Sequence, residues 1–202
     1  MATQERAEFA ALLDTLTPEQ WETPSLCTGW SVHDVVAHVI SYEELGPREV
    51  FLRLARGRFY PAGANDVGLA DYRERSSEEL VALFRAYPRP RGLTAAFGGR
   101  IALTDGMIHQ QDIRRAIGLP REIPGERITP VLWFALFAPV VRGILRVRGL
   151  RLVATDLDWS FGAGPEVRGT AEALLMVIGG RHGIVPELSG PGTAKLTERI
   201  ER

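Results

Sequence analysis

Apolar residues recur at helical spacing along most of the chain. Phe9, Ala10, Leu12, Leu13 and Leu16 predict a first helix over residues 4–16. Thr17-Pro18-Glu19-Gln20-Trp21 predicts a short capped turn, with Thr17 as N-cap and Pro18 at the first helical position. Residues 24–29 read as a loop. Ser31 then caps a second helix, with Asp34 three positions on, and the pattern carries it through His38 toward Glu44. Gly46-Pro47 breaks or kinks it, and residues 48–54 continue with Val50, Phe51 and Leu54 on one face. Residues 57–71, rich in Gly, Pro, Asn and Asp, predict a loop at the mouth of a pocket. Ser76 or Ser77 caps the next helix, which has Glu78 and Glu79 in its first turn and Leu80, Val81, Leu83 and Phe84 on its apolar side. A long helix follows from about Arg100 to Ile117. Gly118 stops it, and Arg114 and Arg115 in its last turn oppose the helix dipole.

Residues 120–124 form a connector. Residues 129–148 predict a fifth, mostly buried helix, with Pro130 at its first position and Val131, Leu132, Phe134, Leu136 and Phe137 as core. After Gly149 the period changes to two. Residues 150–156 and 157–162 read as strands joined by a tight turn, and residues 164–169 as an edge element. A helix over 170–178 and a short one over 191–200 complete the chain. The expected architecture is mainly α: a helical domain over residues 1–148 and a small α+β domain over 149–202. The second is too short to bury much core alone and is expected to pack on the helices.

Composition narrows the function classes. The chain is 45% hydrophobic and 24% charged, as expected of a soluble globular protein, and its net charge of -1 disfavours nucleic-acid binding. The single cysteine, Cys27, rules out an intramolecular disulfide and fits a reducing cytoplasm. Met1 to Arg6 lacks the apolar core of a signal peptide. The longest apolar stretch, Val131 to Ile144, is interrupted by Pro139 and Arg142 and is too short to span a bilayer. Lys195 is the only lysine among 24 basic residues, which with the many Gly and Ala suggests a GC-rich bacterial genome.

The chemistry concentrates in residues 104–118. On a helix, Asp105 and His109 stand one turn apart on one face, where a carboxylate and an imidazole can grip one metal ion. Two ligands make a weak site, and the best third donor is His38. Val35 and Leu45 would share its helix face and point it toward a core. The competing reading makes His38 a hydrogen-bonded core histidine and Asp105–His109 a pair on a solvated face. Two histidines and one carboxylate with an open position form the pattern of a catalytic zinc site. The same set serves non-haem iron, with nickel or manganese as further alternatives. No second cluster of redox ligands is present, which favours Lewis-acid or nucleophile-activating chemistry. The HExxH spacing of zinc proteases is absent. Around this set, Asp112 is expected to hydrogen-bond a ligand histidine or an arginine. Arg114 and Arg115 serve the helix end or meet an anionic substrate. Cys27 reads as a small packed residue at a helix start, His33 as solvent-exposed, and His182 as a loop residue within reach of the pocket.

The segments Cys-Thr-Gly-Trp-Ser-Val-His-Asp-Val-Val-Ala-His-Val, over 27–39, and Asp-Gly-Met-Ile-His-Gln-Gln-Asp-Ile-Arg-Arg-Ala-Ile-Gly, over 105–118, carry a family resemblance. They resemble the two metal motifs of the DinB-like, mycothiol-dependent maleylpyruvate isomerase family, and the likeness extends over nearly the whole chain. It implies a DinB-like four-helix bundle, a C-terminal piece of reduced sterol-carrier-like fold, and His38, Asp105 and His109 as metal ligands. The family's acidic ligand is Glu. Asp105 is one methylene shorter, so the metal would sit closer to the helix or a water would bridge. The resemblance further implies that mycothiol or a similar thiol takes the open metal position. The expected function is a divalent-metal-dependent, low-molecular-weight-thiol S-transferase or isomerase acting on a small electrophile, with zinc as the expected metal. A non-catalytic metal- or ligand-binding bundle and a metal-dependent hydrolase are the alternatives. An exposed apolar face on such a bundle would allow a homodimer.

Overall fold

Six helices and a 3-10 turn precede the long helix that carries Asp105 and His109. A computed structural model describes residues 1–200 of the 202. The chain divides into two units, Met1–Pro120 and Arg121–Arg202. The first contains α1 (Ala2–Leu13), α2 (Pro18–Trp21), α3 (Val32–Ile40), α4 (Pro47–Arg56), α5 (Pro61–Tyr72), α6 (Ser77–Ala86) and α7 (Ala96–Ala116), with the 3-10 turn Gly92–Ala95 before α7. Helices α1, α3, α6 and α7 form a four-helix bundle. In it α7 packs on α1 and α3, and α6 closes the other side against the same two helices.

The bundle core holds the predicted Phe9, Leu12 and Leu13 of α1, Val35 of α3, and Leu80 and Phe84 of α6, joined by Val36, Val39 and Ile40 of α3 and Ile113 of α7. Full burial of each large side chain contributes about 1.5–3 kcal/mol. Phe9 and Phe84 meet with ring centroids 5.0 Å apart. The starts of α2, α3 and α6 are fixed by capping boxes, in which Thr17, Ser31 and Ser76 exchange hydrogen bonds with Gln20, Asp34 and Glu79.

Helix α3 stops at Ile40 and does not run on to Glu44, so Leu45 lies outside the helix. A tertiary network takes over there. Glu43 is buried and accepts hydrogen bonds from Arg6 Nη2 at 2.7 Å, Thr94 Oγ1 at 2.6 Å and the Arg91 amide at 2.9 Å. The chain leaves the helix to bring that carboxylate inward.

The loop expected over 57–71 is instead helix α5. Pro61 sits at the start of that helix, where its missing N–H costs nothing. The glycines serve helix packing: a Cβ on Gly63 would lie 2.5 Å from the Gly57 carbonyl oxygen, so only glycine lets the chain approach itself so closely. On α4 the expected apolar face is inverted. Phe51 is 59% exposed while Arg53 is buried at 4% exposure.

Just after its first residue, Ala96, helix α7 has three residues at positive φ, Phe97, Gly98 and Gly99, and it is regular from Arg100. It ends as predicted at Gly118, whose φ of +69° is a left-handed stop. There the Leu119 amide donates to the Arg114 carbonyl at 2.8 Å and the Gly118 amide to that of Arg115 at 3.4 Å.

The second unit holds α8 (Gly125–Phe137), α9 (Gly143–Val147), β1 (Arg151–Ala154), β2 (Ser160–Gly162), β3 (Glu166–Gly169), α10 (Ala171–Ile178) and α11 (Thr193–Ile200). The sheet order is β2-β1-β3, with β1 antiparallel to β2 and parallel to β3. Leu152, at its centre, stands opposite Phe161 and Val167. The single helix expected over 129–148 is two helices. The first starts at Gly125 and contains Pro130; the second is α9. The break falls at Ala138, which is extended because Pro139 follows it. Val131, Leu132 and Leu136 are core as expected, but Phe137 is 61% exposed. The division between units falls after Pro120, whereas the sequence pattern placed it after residue 148. Helix α8 packs on α10 and so shares a core with the C-terminal strands. Among the described residues, no helix is long and apolar enough to cross a membrane.

Candidate metal centre

Helices α3 and α7 pack side by side and bring the three expected ligands together. His38 lies near the end of α3, and Asp105 and His109 lie one turn apart in the middle of α7. Both imidazoles are buried, at 7% and 8% exposure. Nε2 of His38 and Nε2 of His109 each lie 3.5 Å from Oδ1 of Asp105. The rings stand edge to face with centroids 4.8 Å apart. The Asp105 side chain keeps 35% of its surface exposed, so solvent reaches the cluster at the carboxylate.

The other nitrogen of His109 is fixed from behind. Nδ1 lies 3.0 Å from Oδ2 of Asp112, a carboxylate with no exposed side-chain surface. An Nδ1–H donated to Asp112 leaves the Nε2 lone pair facing Asp105 and His38, the orientation that metal-bound histidines need. Cys27 donates its S–H to the same Asp112 oxygen at 3.1 Å, with Sγ 3.6 Å from His109 Nδ1. The loop that carries Cys27 is tied to α7 by the Leu26 amide, 3.4 Å from the Asp112 carbonyl oxygen. That loop also delivers Trp30, whose ring centroid lies 5.1 Å from that of His38 and 6.3 Å from that of His109, nearly parallel to the latter. Tyr42, one turn beyond His38, meets its ring edge-on at 6.0 Å.

Burial disfavours charge on both Asp105 and His109, but their attraction outweighs it. His109 and His38 hold the Asp105 carboxyl well below the usual carboxylate range. Asp105, helped by Asp112 and Cys27, raises His109 well above the usual imidazole value. Two nitrogens and one oxygen converge from two rigid helices with an exposed side left over. Zinc bonds of about 2.0–2.1 Å at tetrahedral angles place neighbouring donors about 3.4 Å apart, close to both separations seen here. Asp105, though a methylene shorter than Glu, stands at that distance from both imidazoles. The donor set therefore fits a divalent ion.

The remaining candidates separate clearly. Asp112 is the hydrogen-bond partner of a candidate ligand, as expected. Cys27 is packed, as expected, but packed on that same carboxylate. His33 is half-buried, not exposed: its Nε2 lies 2.8 Å from the Arg75 carbonyl oxygen and its ring meets Trp21. Arg114 braces the end of α7 through Gln110 Oε1 at 3.0 Å and the Leu119 carbonyl at 3.3 Å. His182 is exposed in the second unit. Sequence reasoning passed over Trp30 and Tyr42. Tyr42, four residues after His38, carried a positional signal; Trp30 reaches the site through a loop and carried none.

Residues 2–87 match the model of the mycothiol maleylpyruvate isomerase N-terminal domain. That span includes His38, while Asp105 and His109 lie beyond it. No curated protein matches the chain. Two crystal structures, of the mycothiol-dependent maleylpyruvate isomerase and of a point mutant of it, superpose with a TM-score of 0.56. Each match covers 95% of this chain and 90% of the other at 12% identity, a likeness of fold. In residues 2–87 the chain thus matches the N-terminal domain of the mycothiol maleylpyruvate isomerase family, and its fold is that of the solved mycothiol-dependent maleylpyruvate isomerase.

Proposed function

We propose that the protein is a divalent-metal-dependent enzyme that uses a small thiol of the mycothiol type to transfer to, or isomerise, a small electrophilic substrate. One observation carries this reading: two imidazole nitrogens share a single Asp105 oxygen at 3.5 Å, and Asp112 orients one of them from behind. The match to the mycothiol maleylpyruvate isomerase N-terminal domain supplies the thiol class.

His38, Asp105 and His109 would hold the ion, with zinc as the expected metal. A bound divalent cation would supply a Lewis acid that keeps a thiol in its reactive thiolate form near neutral pH. The side chains do the rest. Asp112 keeps the Nδ1 proton of His109 and so presents Nε2 inward. Trp30 and Tyr42 flank the imidazoles and exclude water from their faces. The exposed side of Asp105 is where thiol and electrophile enter.

Substitution with cobalt(II) tests the reading. Adding a small thiol to the cobalt protein is expected to produce a near-ultraviolet thiolate charge-transfer band. A spectrum unchanged by saturating thiol would overturn the thiol-dependent assignment.

A further inference from the structure

Helix α4 buries the wrong residue for a structural helix. Arg53 is its one fully buried side chain, while Phe51 and Leu52 are exposed. Burying a cation is costly unless a counter-charge accompanies it. The other buried arginine of the first unit obeys this rule: Arg6 meets Glu43 at 2.7 Å. Arg53 does not. Among the described residues, no carboxylate lies within ion-pair distance of it. Its Nη1 donates to Ser41 Oγ at 2.9 Å, and its guanidinium lies 4.8 Å from the centroid of the Tyr42 ring. A guanidinium offers five N–H donors, and a neutral hydroxyl and an aromatic ring leave its charge unmatched.

The surroundings place this charge one aromatic ring away from the candidate metal centre. Ser41 and Tyr42 directly follow the last turn of α3, and the Ser41 hydroxyl donates to the His38 carbonyl at 2.9 Å. Tyr42 packs against His38 on one side and Arg53 on the other. Its hydroxyl donates to Asn65 Oδ1 at 3.0 Å and feels the charges of both Arg53 and Asp105. Across from Arg53, α5 presents Gly68, where a Cβ would come within 2.9 Å of Nη1. Glycine there lets the guanidinium lie directly against α5, with Ser41 Oγ beside it.

We infer that Arg53 is the core of an oxyanion-binding subsite, one that takes a carboxylate or similar group of the molecule that reacts at the neighbouring centre. An oxyanion bound in the guanidinium fork would supply the missing counter-charge through charge-assisted, two-point hydrogen bonding. Anion binding by Arg53 stands independently of metal; that the anion belongs to the substrate rests on the function proposed above.

The test is thermal unfolding of the full chain in acetate or sulfate against chloride at matched ionic strength, with metal content measured on each preparation. Sulfate stabilises folded proteins generally by exclusion, so the signal is the difference between wild type and variants. Wild type is expected to show a saturable rise in Tm. Arg53→Met should abolish it, and Arg53→Lys should weaken binding by about tenfold or more, since a point charge replaces a fork. Gly68→Val, which keeps the Arg53 charge but pushes its guanidinium out of position, should weaken binding too, and carries the test if Arg53→Met fails to fold. A wild type without a saturable response, or folded Arg53→Met and Gly68→Val variants that respond as wild type does, would overturn the subsite. Anion binding in a protein that takes up no metal would instead leave the subsite standing and remove the metal reading.

Discussion

Nδ1 of His109 lies 3.0 Å from an Asp112 oxygen that is shielded from solvent. This contact, more than burial, makes His109 a candidate ligand, because it fixes which nitrogen faces the cluster. Asp112→Asn keeps the shape and removes the charge. It is expected to weaken zinc binding by about 10–100-fold, measured by competition with a chromophoric chelator, with the fold retained by circular dichroism. Unchanged affinity would mean that His109 is oriented by something else.

Cys27 shares the same carboxylate, with Sγ 3.1 Å from Asp112 Oδ2. Cys27, His109 and Asp112 also form a second set of potential ligands. The Asp105 site makes a distinct claim about Cys27→Ala. The variant should lose about 0.5–1.5 kcal/mol of stability, because Asp112 gives up one hydrogen bond but keeps His109. It should keep its full metal content. Loss of metal with the thiol would make Cys27 a ligand.

The charges of the centre give the metal-free protein a specific pH profile. The folded state raises His109 above its usual value of 6.5, so its contribution is full below about that pH and is lost as pH rises through the folded value. Asp105 is held below its usual 3.8, so its contribution is present above that pH and is lost on acidification. The metal-free form should therefore lose stability from mildly acidic toward alkaline pH. Metal must displace the His109 proton, so metal binding should weaken as pH falls. Thermal unfolding across pH 5–9, with and without zinc, reads both. Parallel curves would contradict the coupling.

Gly63 tests the reading of α5. Alanine in a helix interior usually gains about 1 kcal/mol over glycine. Here a Cβ would lie 2.5 Å from the Gly57 carbonyl oxygen, so Gly63→Ala should instead cost about 1–3 kcal/mol by denaturant unfolding. A neutral or stabilising result would show that α4 and α5 yield at their contact.

The bundle was legible because its cores repeat at helical spacing and its helices carry Ser31–Asp34 and Ser76–Glu79 caps. The centre was legible because Asp105 and His109 sit one turn apart and His38 lies on an apolar face. Helix α5 was not legible, since Gly63 and Gly68 look like turn residues and act as contact surfaces. Nor was the role of Arg53: period alone places Phe51 inside, and only the tertiary structure shows the arginine there instead. The end of α3 and the break at Ala138 were set by Glu43's tertiary partners and by Pro139. The first leaves no local trace; the second was visible but outweighed by the apolar run around it.

Metal content by mass spectrometry on untagged protein, with wild type beside His38→Ala, Asp105→Ala and His109→Ala, tests the central claim most directly. One equivalent of zinc or another divalent metal in wild type, lost from all three variants, is the predicted result. Wild type without metal after incubation with divalent ions, or variants that keep it, would contradict the three-ligand centre.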